Sequence, residues 1–174
     1  STCQKQVVAG YPAIGMGHVF RSLMLAHEIA NHKVFFVCTK ESELAASNIA
    51  ARDYKTVVQQ GELWEDVLAL DPDLVINDML DTPREYMEHL KAANIPVVNF
   101  EDEGPGSVLA DQVVNALYEE PQNETNGKQP ERFLYGHKYF CLRDEFLQAE
   151  QNVFRPAPKC ILITFGGTDM PDYT

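Results

Sequence analysis

The residues best suited to chemistry lie in Ala13–Arg21, AIGMGHVFR, where two glycines bracket a methionine and lead directly into a histidine. Gly15 and Gly17 permit a tight turn and let backbone approach a ligand closely. A helix starting near His18 would turn its free N–H groups and the positive end of its dipole toward that turn. A diphosphate or a sugar hydroxyl suits such a place, with Gly15, Met16 and Gly17 as its cradle. The dipole also disfavours an imidazolium at His18, and a neutral ring can take a proton from water or a hydroxyl. The same histidine read as a simple turn cap fits the spacing equally well. Arg21, one turn further on, suits either an anionic ligand or a carboxylate at the surface. The third glycine of the dinucleotide fingerprint is missing, so the loop is not read as a dinucleotide site.

A second set of polar residues ends two apolar runs. Asn77 and Asp78 close VIND, with Asp81 and Thr82 just beyond, and Glu101 and Asp102 close VVNFED. These carboxylates could orient His18, hydrogen-bond sugar hydroxyls or hold a divalent cation, or they could cap helices and stay solvated. No metal and no cofactor is assigned. His27, His32, His89 and His137 are read as packed or exposed, and Trp64 as core or partner surface. No serine nucleophile elbow, phosphate-loop lysine or Cys–His spacing occurs.

Bringing these loops together requires a particular scaffold. Short Val-, Ile- and Phe-rich runs alternate with helical-period segments, which predicts an α/β domain: a Rossmann-like parallel sheet with helices on both faces. Strands are expected at Gln6–Gly10, Val34–Cys38, Lys55–Val58, Leu74–Asn77, Pro96–Phe100 and, more weakly, Gln112–Asn115. Helices are expected at His18–Ala30, Glu41–Arg52, Glu62–Leu70 and Pro83–Ala93, the last behind an N-cap Thr82. In His18–Ala30 the apolar stripe is Val19, Leu23, Ala26 and Ala30. With strand order 3-2-1-4-5, the loops after strands one, four and five converge on the carboxyl rim, where open sheets bind ligands. Glu119–Glu131 reads as an exposed loop and Leu142–Glu150 as a short helix. Residues 1–153 form the domain, 154–159 (FRPAPK) a stiff linker, and 160–174 the first strand and glycine turn of a second domain. That orphan strand, Cys160–Phe165, would pair with an exposed edge, possible in a second copy, or stay unstructured.

Composition narrows the function classes. The chain has 174 residues, 45% hydrophobic and 23% charged, with 14 Lys and Arg against 26 Asp and Glu, a net charge of −12. Nucleic acid and anionic membranes call for a basic footprint, so neither is an expected partner. Four widely spaced cysteines without a C-x-x-C pair fit reduced thiols, with Cys38 and Cys160 as small buried hydrophobes. No membrane-length apolar run and no leader pattern is present, so a cytoplasmic setting is expected.

Six segments in order resemble one group of proteins: IGMGHVFR (Ile14–Arg21), VINDMLDT (Val75–Thr82), NFEDEG (Asn99–Gly104), VVNALY (Val113–Tyr118), CLRDEF (Cys141–Phe146) and ITFGGTD (Ile163–Asp169). The group comprises the UDP-sugar hydrolases of pseudaminic acid biosynthesis and the SpsG-like spore-coat polysaccharide proteins. The resemblance implies the N-terminal domain of a GT-B fold, like the lipid-II-forming glycosyltransferase of peptidoglycan synthesis, with the site between two Rossmann-like halves. It implies that His18 activates the water that displaces UDP from a UDP-linked amino sugar. It also implies that Gly166, Gly167, Thr168 and Asp169 open a nucleotide-holding second domain, without which the chain would be inactive or nearly so. The pseudaminic-pathway enzymes tend to carry a His-Tyr pair after the fourth strand. Asp78-Met79 here departs from that and leans toward the SpsG-like branch.

Three readings follow. In the first, this is the N-terminal half of a nucleotide-sugar hydrolase. In the second, it is the acceptor half of a glycosyltransferase, with a hydroxyl replacing water. In the third, it is a non-catalytic module that binds a sugar nucleotide or a partner such as a cytidylyltransferase of the same pathway.

Overall fold

A computed structural model of the chain describes residues 5–8 as backbone, and residues 17–120, 131–150, 153, 157 and 160–162. In order these form β1 (Lys5–Val8), α1 (Gly17–Glu28), β2 (Phe35–Cys38), α2 (Glu43–Ala50), β3 (Lys55–Val58), α3 (Leu63–Leu68), β4 (Val75–Asp78), α4 (Arg84–Ala92), β5 (Val97–Phe100), β6 (Gln112–Asn115), β7 (Phe133–Tyr135) and α5 (Asp144–Leu147). The strands make one sheet in the order β3-β2-β1-β4-β5-β6-β7. Every pairing is parallel. The switch point falls between β1 and β4, with Val8 opposite Asp78, so the end of β4 lies beside the chain that runs into α1. This is the Rossmann-like α/β arrangement the alternation of segments predicts.

Strand β2 explains why its four residues are all apolar. Phe36 and Cys38 pack with Val19, Leu23, Ala26 and Ile49 under α1 and α2. Val37 points the other way, into a cluster with Val75, Met87, Leu90 and Val97 under α3 and α4. Successive side chains leave opposite faces of a strand, and here both faces are covered, so no polar alternation survives. Burial pushes the Cys38 thiol up to about 11, which leaves it an inert core hydrophobe.

Several expectations need correction. Ala30 lies beyond the end of α1 and is exposed, so the stripe closes at Ala26. Helix α4 begins at Arg84 with Pro83 at its N-cap position, and the buried Thr82 hydroxyl has no hydrogen-bond partner among the described residues. Thr82 therefore does not cap the helix. Leu142–Glu150 contains a single helical turn, and β7 adds a strand the sequence pattern does not signal. Cys160 is exposed, as are Ile161 and Leu162, and none of the three is in a strand. The rest of the expected strand Cys160–Phe165, its glycine turn, most of 154–159 and most of the Glu119–Glu131 loop lie outside the described residues. Among the described residues no helix is long and apolar enough to cross a membrane.

Helices α2, α3 and α4 each run out into a left-handed residue, Asp53, Asp71 and Asn94, with φ of 63°, 52° and 57°. Asp and Asn tolerate that conformation better than other non-glycine residues, so these are ordinary helix exits. Gly104 marks a tighter constraint. A Cβ there would stand 2.3 Å from the Thr82 nitrogen and 2.7 Å from the Asp81 carbonyl carbon, so the loops after β4 and β5 touch backbone to backbone. Gly17, by contrast, has open space around its Cβ position. Gly104→Ala should therefore cost about 1–3 kcal/mol in urea unfolding, as overpacking does. Gly17→Ala should stay within about 0.5 kcal/mol of the parent, as unobstructed surface changes do. Equal losses in the two variants would contradict this packing.

Candidate functional site

The first turns of α1 place His18, Arg21 and Ser22 at i, i+3 and i+4, which is one face of a helix. Strand order sets that face over the end of β4, where Asp78 is fully buried. All three side chains meet its carboxylate. His18 Nδ1 lies 2.5 Å from Oδ1. Arg21 donates from Nη2 to Oδ1 at 2.5 Å and from Nε to Oδ2 at 2.8 Å. Ser22 donates its hydroxyl to Oδ2 at 3.2 Å.

The contacts fix the imidazole's proton. A carboxylate gripped by a guanidinium is ionised and can only accept, so a close Nδ1–Oδ1 approach needs the proton on Nδ1. The Arg21 Nη2 atom, 3.1 Å from the same nitrogen, is then a neighbouring cation rather than a donor to it. With Nδ1 committed, Nε2 is the ring's remaining acceptor, with no hydrogen-bond partner among the described residues, on a residue that lines the cleft described below.

Glu101 completes the cluster from the end of β5. Its φ of 50° is left-handed without being a helix exit, an unfavourable conformation for Glu that is held by its surroundings. Its two oxygens accept the N–H groups of Ala116 at 3.1 Å and Leu117 at 3.2 Å, and Oε1 also accepts from Arg21 Nη1 at 3.3 Å. Arg21 lies over the Phe100 ring at 5.9 Å. Burial works to lower the Arg21 pKa, but the hydrogen bonds and charge of Asp78, with Glu101 behind it, outweigh that and raise it. Burial raises the Glu101 carboxyl, and the Leu117 N–H, the Arg21 charge and the Ala116 N–H offset this only in part.

Asn77 and Asp102 have a different placement. Asn77 is fully buried, donates to Asn99 at 2.9 Å and accepts from the Tyr86 hydroxyl at 2.8 Å. Asp102 accepts from Asn99 at 2.5 Å and from the backbone N–H groups of Thr82 and Gly104 at 3.0 and 2.9 Å. Both tie the two loops together inside the domain. Arg21 is likewise not at the surface: its side chain is 14% exposed and its nitrogens face carboxylates. Gly15, Met16, Gly166, Gly167, Thr168 and Asp169 lie outside the described residues.

His18, Arg21 and Glu101 open on a cleft of about 490 Å³, walled by Phe20, Leu80, Phe100, Leu117, Phe140 and Leu142 among others. Tyr139–Phe146 forms one side of it, a segment whose CLRDEF motif carries the resemblance but which was not expected at the site. A neighbouring groove of about 770 Å³ runs along α1 and shares Phe20, Met24 and Cys141–Arg143 with it. Ser22 was also not expected; its i+4 spacing from His18 was the available signal. Among the described residues no three His, Cys, Asp or Glu side chains gather as metal ligands.

No protein-family model matches the chain. An uncharacterized protein of Methanocaldococcus jannaschii is 29% identical over 188 aligned positions, which take in 97% of this chain and 37% of that protein. The crystal structure of Acinetobacter baumannii MurG superposes with a TM-score of 0.55 at 14% identity, covering 78% of this chain and 46% of that one. The matched region thus spans less than half the length of either protein. The likeness to MurG shows a GT-B-type Rossmann-like fold.

Glu101 gives the site a pH signature. Its folded-state value lies above the ordinary 4.5 because of burial, so the native state holds this proton more tightly than the unfolded chain does. The stability it contributes is full below that ordinary value and is lost as pH rises through the raised one. Between about pH 7 and about pH 5 the urea midpoint of the parent should therefore gain on that of Glu101→Gln. Parallel midpoints across that range would contradict the assignment.

Proposed function

We propose that this domain is the acceptor side of a GT-B glycosyltransferase-like enzyme that uses a nucleotide-linked sugar, with His18 as general base. The observation that carries the reading is the buried Asp78 carboxylate on Nδ1 of a histidine that lines a cleft at the carboxyl rim of the sheet. The GT-B-type fold shared with MurG supports a second half facing this rim and a nucleotide-sugar donor between the two.

In the step proposed, Nε2 of His18 takes the proton of an acceptor hydroxyl as that oxygen bonds to the anomeric carbon. The bond from that carbon to the diphosphate breaks, and the nucleoside diphosphate leaves with the electron pair. Asp78 keeps the ring in the tautomer that can accept and stabilises the imidazolium once formed. With a neutral imidazole, the charges of Arg21, Asp78 and Glu101 sum to −1, which disfavours a diphosphate beside them. The donor's phosphates are better served by the Gly15–Met16–Gly17 turn and by Gly166–Asp169 of the second half. Asn77 and Asp102 act by holding the loops that carry Asp78 and Glu101.

Water in place of the acceptor hydroxyl is the second reading, favoured by the six ordered segments that resemble UDP-sugar hydrolases. A screen of UDP- and CMP-sugars with the complete gene product, with and without candidate acceptors, separates the two. Acceptor-dependent nucleotide release supports transfer, and acceptor-independent release supports hydrolysis. In either case His18→Ala should slow release by about 10²–10⁴-fold, the usual worth of a general base. Undiminished release in that variant would overturn the reading, as would sugar-nucleotide binding with no turnover in the parent.

A further inference from the structure

We infer that Arg21 is a positioning residue that keeps His18 available as a base by occupying both oxygens of Asp78. The inference rests on the base reading of His18 for its functional meaning, but its geometry stands apart from it.

A fully buried carboxylate beside a histidine would ordinarily draw a second proton onto the ring, since an opposite charge within about 4–6 Å favours the charged form. The product would be an imidazolium, which cannot accept. Arg21 opposes that outcome twice. Its guanidinium bridges Oδ1 and Oδ2 of Asp78, spending the negative charge before the ring arrives. Its Nη2 also stands 3.1 Å from Nδ1, where it repels further positive charge on the imidazole. Ser22 takes part of the remaining capacity of Oδ2.

The guanidinium's described contacts all go to the protein's own groups. Nε and Nη2 face Asp78, Nη1 faces Glu101, and Phe100 lies against the group. A lysine could supply the charge but not the two-pronged contact, because only the planar fork meets both carboxylate oxygens in one geometry. Glu101 sets the balance from the other side by drawing Arg21 away from Asp78.

Other titratable or charged groups near His18 come from several elements. Arg21 lies on the same helix, Asp78 on β4 and Glu101 beyond β5. Cys141, which interacts with Arg21, Asp78 and Glu101, and Arg143 come from the segment before α5. Tyr118, which interacts with Glu101 and Arg21, follows β6. Of these, Arg21 alone is hydrogen-bonded to Asp78 while also contacting the His18 ring, among the described residues.

The test titrates His18 by long-range proton–nitrogen NMR in the ¹⁵N-labelled chain, comparing the parent with Arg21→Gln, Arg21→Lys and Glu101→Gln. Arg21→Gln should move the His18 midpoint up by about 1–2 pH units, and Arg21→Lys, which restores the charge but not the two-pronged contact, should undo only part of that rise. Glu101→Gln, which leaves Arg21 wholly to Asp78, should move it down; this arm keeps the test open if Arg21→Gln does not fold. A midpoint unmoved in every folded variant overturns the inference. In the complete gene product the acidic limb of the pH–rate profile should rise with the Arg21→Gln midpoint. A purely structural role would lower the rate and leave the limb in place. A moved midpoint with an unmoved limb would uphold the Arg21 role and reject His18 as the base.

Discussion

A buried negative charge at the end of β4 is the constraint around which the rest of this molecule is arranged. Asp78 has no exposure to water, so its ionised form depends on partners supplied by the protein. Among the described residues all of them come from two turns of α1, through Arg21, His18 and Ser22. Removing one partner of such a buried pair generally costs about 3–5 kcal/mol, because the other charge is left uncompensated. The same contact therefore ties α1 to the sheet and holds the His18 ring in place. Structure and chemistry share one carboxylate.

Around it stands a second, electrically quieter layer. Asn77, Asn99, Asp102, Tyr86 and Asn115 form a buried hydrogen-bonded chain that joins the loops after β4, β5 and β6. Gly104 allows those loops to touch, and Glu101 bends sharply so that its carboxylate meets the N–H groups after β6. A site built this way holds its carboxylates through strand ends and backbone contacts rather than through long flexible side chains. That rigidity suits a base that must meet a reacting hydroxyl in one orientation.

Much of the scaffold was legible in the chain because parallel strands buried on both faces leave unbroken apolar runs, as FFVC of β2 does. The β1–β4 switch point agrees with the order 3-2-1-4-5 taken for such a domain, which the alternation of runs and helices does not by itself fix. Strand β7 was not legible, since Phe133–Tyr135 is too short to carry a period. The partnership of Arg21 with Asp78 was hidden for another reason. The two are 57 positions apart, and local spacing gives no sign that an arginine one turn into a helix faces inward. Asn77 and Asp102 read as rim ligands because polar residues at strand ends are ambiguous until their burial is known. His18 alone combined a helix start, a glycine approach and a titratable ring, and that combination pointed to the cleft it lines.

The most direct test is the tautomer of His18 in the unliganded chain, read from its two ring-nitrogen chemical shifts in the pH range where the ring is neutral. The account requires the proton on Nδ1, hydrogen-bonded to Asp78, with Nε2 bare toward the cleft. A ring protonated on Nε2, with Nδ1 accepting from Arg21, would contradict it.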